Sequence, residues 1–503
     1  MRYKTTEVAF MNLVKKIEDY RHALGLLNWD SRTGAPKKGV QHRSEVIGTL
    51  AEEVFQLSTS VEMSSYLEEL SEERTYRELT EKVKKTVDEC RKTLKRNENI
   101  PKQEFKEYVM LQAQTEALWE EAKEKADFEL FRPNLEKLVT MKKRFIDYWG
   151  SQGHPYNTLL DDFEPGVFVD TLDDVFGDLR RQLIPIVRDV SAAKHQPRTD
   201  SLFKPFPQEN QRALSIKILK EIGYDFEAGR LDETIHPFAL ALSPYDVRVT
   251  TNYNENDFRV SLFGTIHEGG HALYEQNISS DLIGTPLCDG TSMGIHESQS
   301  LFYEQFIGHH FQFWRRNYKL VKKYASGQFE DVPLEQFYFA INEAKPSLIR
   351  IESDELTYCL HIIFRYELEK ALFGGEIEVG DLPHLWNEKM EAYLGIRPEH
   401  DGEGVLQDSH WSSGAFGYFP SYALGYIYAA QMKEAMVKDV PDFDQLIFQG
   451  NFDVIGQWFK INVHQFGKLK KPDEIIKDVT GGEIDSGPLV RYLEQKYRAL
   501  YQV

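Results

Sequence analysis

Cysteine is scarce: the 503 residues hold three, Cys90, Cys288 and Cys359. An odd number so widely spaced fits neither a disulfide framework nor a thiolate metal site, which leads to the expectation of a reducing, cytoplasmic setting. No run of about 18 apolar residues exists, so no membrane span is expected. The opening Met1-Arg-Tyr-Lys-Thr-Thr-Glu carries no apolar stretch behind its basic residues and does not read as a signal peptide. Basic charge is in deficit, with 60 Lys and Arg against 80 Asp and Glu and a net charge of −20. Such a surface repels nucleic-acid backbones and anionic membranes, and neither is expected as a partner. Low-complexity linkers and internal repeats are missing as well.

What remains is an ordinary globular composition, 41% hydrophobic and 28% charged, long enough for a sizeable core. One unit over 1–503 is expected, with possible sub-lobes 1–200 and 201–503 meeting near the proline-bearing segment 194–207. The first part reads as helices. Leu79, Val83, Val87, Cys90 and Leu94 recur at helical spacing, a turn signal follows at 97–101, and Phe105, Val109, Leu118, Trp119 and Ala122 form a second periodic run. The Lys-rich stretch 82–95 is interleaved with Glu81, Asp88 and Glu89 and reads as a solvated helix face. Strands are few. Asp246–Thr251 alternates in the β manner, 254–256 supplies a turn, and Phe258–Val260 reads as a returning strand.

The next helix carries His267-Glu268-Gly269-Gly270-His271. Histidines at i and i+4 share one helix face, so both imidazoles can reach a single ion. Glu268, beside the first of them, is placed to reach a water on the metal and take its proton. Two central glycines cost about 1 kcal/mol each in helix propensity, which is useful only where a substrate or another helix passes close by. The preceding apolar stretch Val260–Ile266 indicates a buried helix, where imidazoles and carboxylates need partners. A catalytic zinc site needs a third protein ligand and an open position. Glu297, in His296-Glu297-Ser298-Gln299, is the candidate; Glu304 and Glu275 are its rivals.

These residues resemble the carboxypeptidase Taq family of zinc metallocarboxypeptidases, and the resemblance covers nearly the whole chain. Trp29-Asp30 with Arg43 is similar to its N-terminal pattern, His236-Pro237-Phe238 to H-P-F, and Asp246, Arg248 and Thr250 to D-x-R-x-T. His267–His271 matches its H-E-x-x-H, and 296–299 its H-E-[SG]-Q. Ile349-Arg350 with Asp354 matches I-R-x-x-A-D, with Ser353 where the family has alanine. Gly404 with 407–411 matches G-x-x-Q-D-x-H-W. The resemblance implies a mainly α-helical peptidase with a deep groove and a small β-hairpin beside the zinc helix, similar to angiotensin-converting enzyme and neurolysin. It further implies one zinc ion per chain, replaceable by cobalt or manganese, a homodimer, and removal of single residues from peptides with a free C-terminus.

Hydrolysis through a tetrahedral oxyanion needs hydrogen-bond donors beside the metal. His410 is the first candidate, set against a structural histidine anchored by Asp408. Tyr418 and Tyr422 are candidates for the oxyanion or a carboxylate, set against buried core aromatics. A terminal carboxylate is best read by the planar fork of an arginine. Arg350 is the first choice and Arg248 the second, with structural ion pairs to Asp354 and Asp246 as the plain alternative. Strand 246–251 is a further candidate, for pairing with extended peptide. The competing activities are an endopeptidase or dipeptidyl carboxypeptidase on the same zinc site, or a binding protein that kept the metal but lost catalysis; an intact Glu268 speaks against the last.

Overall fold

Helices account for most of the chain, as the sequence periodicity requires. The computed structural model describes residues 2–503, with the side chains of Arg2 and Tyr3 left aside; Met1, the first residue of the segment read above for a leader, lies outside the described residues. The predicted helical hairpin is formed by Glu81–Glu98 and Lys102–Lys125. Thr80 caps the first, its hydroxyl accepting the Val83 N–H at 3.4 Å. Val83, Val87 and Leu94 face inward as expected and close a small core with Phe10, Val14, Met63 and Leu67 from preceding helices. The second run behaves differently. Phe105 and Val109 are exposed, while Tyr108, Thr115 and Ala122, at intervals of seven, form the buried seam. Beside that seam Leu111 and Trp119 pack partly buried, and Trp119 donates to the Leu406 carbonyl at 3.0 Å.

A much larger core runs from Ala122 to Tyr501. The irregular segment 194–207, between helices Val169–Ser191 and Gln208–Ile222, contributes Leu202 and Phe206 to it. All three cysteines are free, and no helix of the described residues is long and apolar enough to cross a membrane.

The sheet has three strands, β1 (Leu231–Glu233), β2 (Ala239–Ser243) and β3 (Asp246–Thr251), in the order β1-β3-β2. β1 runs parallel to β3 and β2 antiparallel, with an irregularity between Ala241 and Ser243. The hairpin partner of β3 therefore precedes it. Phe258–Val260 is not a returning strand but the first turn of the helix Phe258–Gln276. Asp257 decides this locally: its carboxylate accepts the Arg259 N–H at 3.1 Å and pairs with the Arg259 side chain at 2.7 Å. Because β3 is bonded along both edges, it has no free edge for a peptide; those edges belong to β1 and β2.

Helix Phe258–Gln276 is buried on nearly all sides. Its glycines are explained by helix contact. A Cβ on Gly270 would lie 2.5 Å from the Gln299 carbonyl oxygen and 2.6 Å from Ser300 Cα. The partner helix Met293–Leu301 thus approaches backbone to backbone, bringing Glu297 to the two histidines. On the far side, a Cβ on Gly425 would lie 2.7 Å from Glu297 Cβ, so helix Phe419–Asp439 packs as tightly against the same residue. Beyond Leu301 the partner helix continues as a π-helical stretch, Phe302–Gly308, which carries Glu304.

Candidate metal centre

Nitrogen atoms of His267 and His271 and a carboxylate oxygen of Glu297 lie within 4.8 Å of one another. Glu297 Oε2 stands 3.8 Å from His267 Nε2 and 3.5 Å from His271 Nε2. A tetrahedral ion with bonds of about 2.0–2.2 Å places its ligand atoms roughly 3.3–3.6 Å apart. Two neutral-capable imidazoles and one carboxylate, at nearly that spacing, suit a divalent metal and leave a fourth position for water or substrate.

Each histidine presents Nε2 because its Nδ1 is held from behind. His267 Nδ1 donates to Glu304 Oε2 at 2.8 Å, and His271 Nδ1 lies 3.1 Å from the His296 carbonyl and 2.5 Å from His296 Nδ1. His296 Nε2 in turn bonds Glu275 Oε1 at 2.9 Å, and that carboxylate also accepts the Gly290 N–H. The two rival glutamates therefore stand behind the candidate ligands: Glu304 bonds His267, and Glu275 bonds the histidine that backs His271. Such bonds fix ring orientation and raise ligand basicity. Glu268 is 8% exposed, and neither carboxylate oxygen has a hydrogen-bond partner among the described residues. Burial pushes its carboxyl up to about 7, the range a general base needs.

A pocket of about 330 Å³ opens beside the metal residues, lined by His267, Glu297, Glu304, Arg350, Glu355, Tyr358, Tyr422 and Tyr426 among others. Arg350 is thus brought to the site, 7% exposed, although it lies 53 residues beyond Glu297 in sequence. Its partner is not Asp354. Asp408 Oδ1 takes both Nε at 2.9 Å and Nη2 at 2.8 Å, while Asp408 Oδ2 takes Nε of the fully buried Arg365 at 2.7 Å. Although burial opposes ionisation, the two guanidinium groups hold Asp408 well below the usual carboxylate range. Asp354 instead accepts the backbone N–H groups of Lys345, Leu356 and Thr357. Asp408 leaves the Nη1 edge of Arg350 untaken, and the guanidinium stacks 4.9 Å over the Tyr422 ring.

His410 is not anchored by Asp408 through a hydrogen bond. Its Nε2 lies 3.1 Å from the Tyr422 hydroxyl, and its buried Nδ1 has no partner. Burial, reinforced by the positive charges of Arg350 and Arg365, pushes it down to about 4, so the ring is neutral near pH 7. Tyr418 and Tyr422 stack edge to face, with ring centroids 5.1 Å apart. Burial raises both phenols, Tyr422 to about 12, so each keeps its proton to donate. Arg248 is placed elsewhere: on β3, its fork is closed by Asp246 in two bonds of 2.8 Å, its guanidinium covers Trp29, and it does not line the pocket. Sequence reasoning passed over Tyr358, Tyr426, Glu355 and Arg365. Tyr426 lies one helical turn beyond Tyr422 and Glu355 follows Asp354, so spacing from those candidates could have found them, whereas Arg365 reaches Asp408 from 43 residues away.

The family model described as carboxypeptidase Taq (M32) metallopeptidase matches residues 9–497. Carboxypeptidase 1 of Bacillus subtilis is 54% identical over 501 residues, covering 100% of both chains. Thermostable carboxypeptidase 1 of Thermus thermophilus is 37% identical over 509 residues, covering 99% of this chain and 100% of that one. The crystal structure of an M32 carboxypeptidase from Deinococcus radiodurans R1 superposes with a TM-score of 0.95 at 33% identity, covering 99% of this chain and 100% of that one.

Proposed function

This chain belongs to the carboxypeptidase Taq (M32) family and is a metallocarboxypeptidase; from that premise we propose that it binds one zinc ion through His267, His271 and Glu297 and releases single C-terminal residues with broad specificity. The observation that carries the reading is that three-residue cluster, with a buried, unpartnered Glu268 next to His267 on the same helix and Arg350 lining the pocket that His267 and Glu297 share. Zinc bound there supplies Lewis acidity, which acidifies a water and polarises the scissile carbonyl. Cobalt or manganese is a compatible substitute.

The protein's own groups divide the remaining work. Glu268 accepts the proton of the attacking water, because both its oxygens are free and its burial keeps its basicity near neutral. Neutral His410 and the phenols of Tyr418 and Tyr422 donate toward the oxygen on which negative charge develops. The open edge of Arg350 takes the substrate's terminal carboxylate, with Asp408 and the Tyr422 ring keeping the guanidinium in one plane. Arg248, its fork already closed by Asp246, supports the sheet. Homodimerisation and a cytoplasmic setting complete the reading; sedimentation of the purified protein tests the first.

The deciding experiment is a mixed set of peptides with free and amidated C-termini, incubated with and without chelator and read by mass. Ladders shortened by one residue, lost with chelator and with amidation, support the reading. Internal cleavage, or release of dipeptides, supports the endopeptidase or dipeptidyl alternative instead.

A further inference from the structure

Glu369 lies outside the pocket and is completely buried on helix Tyr358–Gly374. No cation pairs with it among the described residues, an expensive state for a carboxylate. Its oxygens are filled by three donors instead. Oε1 accepts Trp411 Nε1–H at 2.7 Å; Oε2 accepts the Gly417 N–H at 2.9 Å and the Tyr156 hydroxyl at 2.6 Å. Two of these donors belong to the irregular segment ahead of helix Phe419–Asp439, and each is the immediate neighbour of a residue at the site: Trp411 follows His410, and Gly417 precedes Tyr418.

Two backbone turns brace the interior of that segment, Gly414 N–H to the Trp411 carbonyl at 3.2 Å and Ala415 N–H to the His410 carbonyl at 2.9 Å, but neither reaches Gly417. Gly417 has φ +94°, and a Cβ there would lie 2.8 Å from the Leu159 backbone, so the chain is pressed into one conformation at this point. The Trp411 ring meets Trp386 edge on, but that contact fixes a plane rather than a distance. An acceptor-only carboxylate is the one group that satisfies all three donors at once. Glutamine would turn its own N–H₂ against one of them.

We infer that Glu369 is a positioning residue for catalysis: by clamping both ends of the 411–417 segment it sets His410 and Tyr418 against the substrate. This rests on the roles proposed above for His410 and the tyrosines. The test compares Glu369→Gln, Trp411→Phe and Tyr156→Phe by bound metal, kcat and KM. The first two should keep one ion per chain and lose about 10–100-fold in kcat, the scale of a small misplacement of reacting groups, with KM within about threefold. Tyr156→Phe removes the one donor outside the segment; it should lower the melting temperature and leave kcat within about twofold. Adding Glu369→Gln to His410→Ala should cost far less than adding it to the wild type, because both act through one group.

Wild-type kcat in metal-loaded Glu369→Gln, or full additivity with His410→Ala, would overturn the inference. If Glu369→Gln does not fold, the two phenylalanine variants decide, and equal kcat losses in them would reduce Glu369 to a core support. Failure of the underlying reading looks different: His410→Ala and Tyr418→Phe would then keep wild-type kcat whatever Glu369→Gln does.

Discussion

Removing the Glu304 carboxylate should weaken the metal site without abolishing it, and the size of the effect separates a ligand from a group that orients one. Glu304 Oε2 sits 2.8 Å from His267 Nδ1, whereas Glu297 Oε2 faces the Nε2 atoms of both histidines. In Glu304→Ala the His267 ring keeps its place on the helix but loses the acceptor that fixes its tautomer and raises its basicity. Losses of this kind are about 10–100-fold in metal affinity, or about 1.4–2.7 kcal/mol. Glu297→Ala removes one of three donors and should exceed that range. Glu275→Ala acts one bond further away, through His296, and the His296 carbonyl still holds His271 Nδ1 at 3.1 Å. It should therefore fall at or below the lower end. Competition against a chromogenic chelator gives the three dissociation constants directly. Glu304→Gln, whose amide oxygen can still accept from Nδ1, should recover part of the loss. Were Glu304→Ala to lose metal as completely as Glu297→Ala, Glu304 would be a ligand; were it to lose none, the Nδ1 contact would not govern affinity.

Glu268→Gln should retain its metal and lose turnover, since an amide cannot take the water's proton; near-wild-type rates with metal bound would refute the base assignment. In the wild type, protonation of Glu268 removes the base as pH falls, so kcat/KM should drop on the acid side, at or below about 7, because a bound cation lowers what burial raises. Arg350→Ala should cost about 2–5 kcal/mol in recognition of free C-termini, nearly vanish as an effect on amidated peptides, and be only partly repaired by lysine. Arg248→Ala is its control, and exchange of the two phenotypes would move the carboxylate to Arg248. Asp408→Asn strands two buried guanidinium groups and should destabilise the fold by about 3–5 kcal/mol, read as a lowered denaturation midpoint; an unchanged midpoint would show that Arg350 and Arg365 are satisfied without it.

Much of this protein was legible in its residues because the relevant physics is local. The i, i+4 histidines, Glu268 beside the first of them and the buried helix that carries them are legible in the local pattern, and the paired glycines announced a close approach. Motif resemblance then supplied the family, the helical class and Arg350. Where a local pattern allowed two answers, the reading went astray. Phe258–Val260 fits a strand by alternation, but the Asp257 cap starts a helix there. Phe105 and Val109 fit a helical stripe, but the face that meets neighbours is the one carrying Tyr108, Thr115 and Ala122. The choice among Glu297, Glu304 and Glu275 depended on how two helices approach and on a π-helical stretch beyond Leu301, neither of which spacing encodes. The partner of Arg350 lies 58 residues away and that of Glu369 as far as 213. Sequence determines which groups a helix face can offer; which distant group meets each one is set by packing, because a buried charge takes whatever donor or counter-charge the closed core leaves within reach.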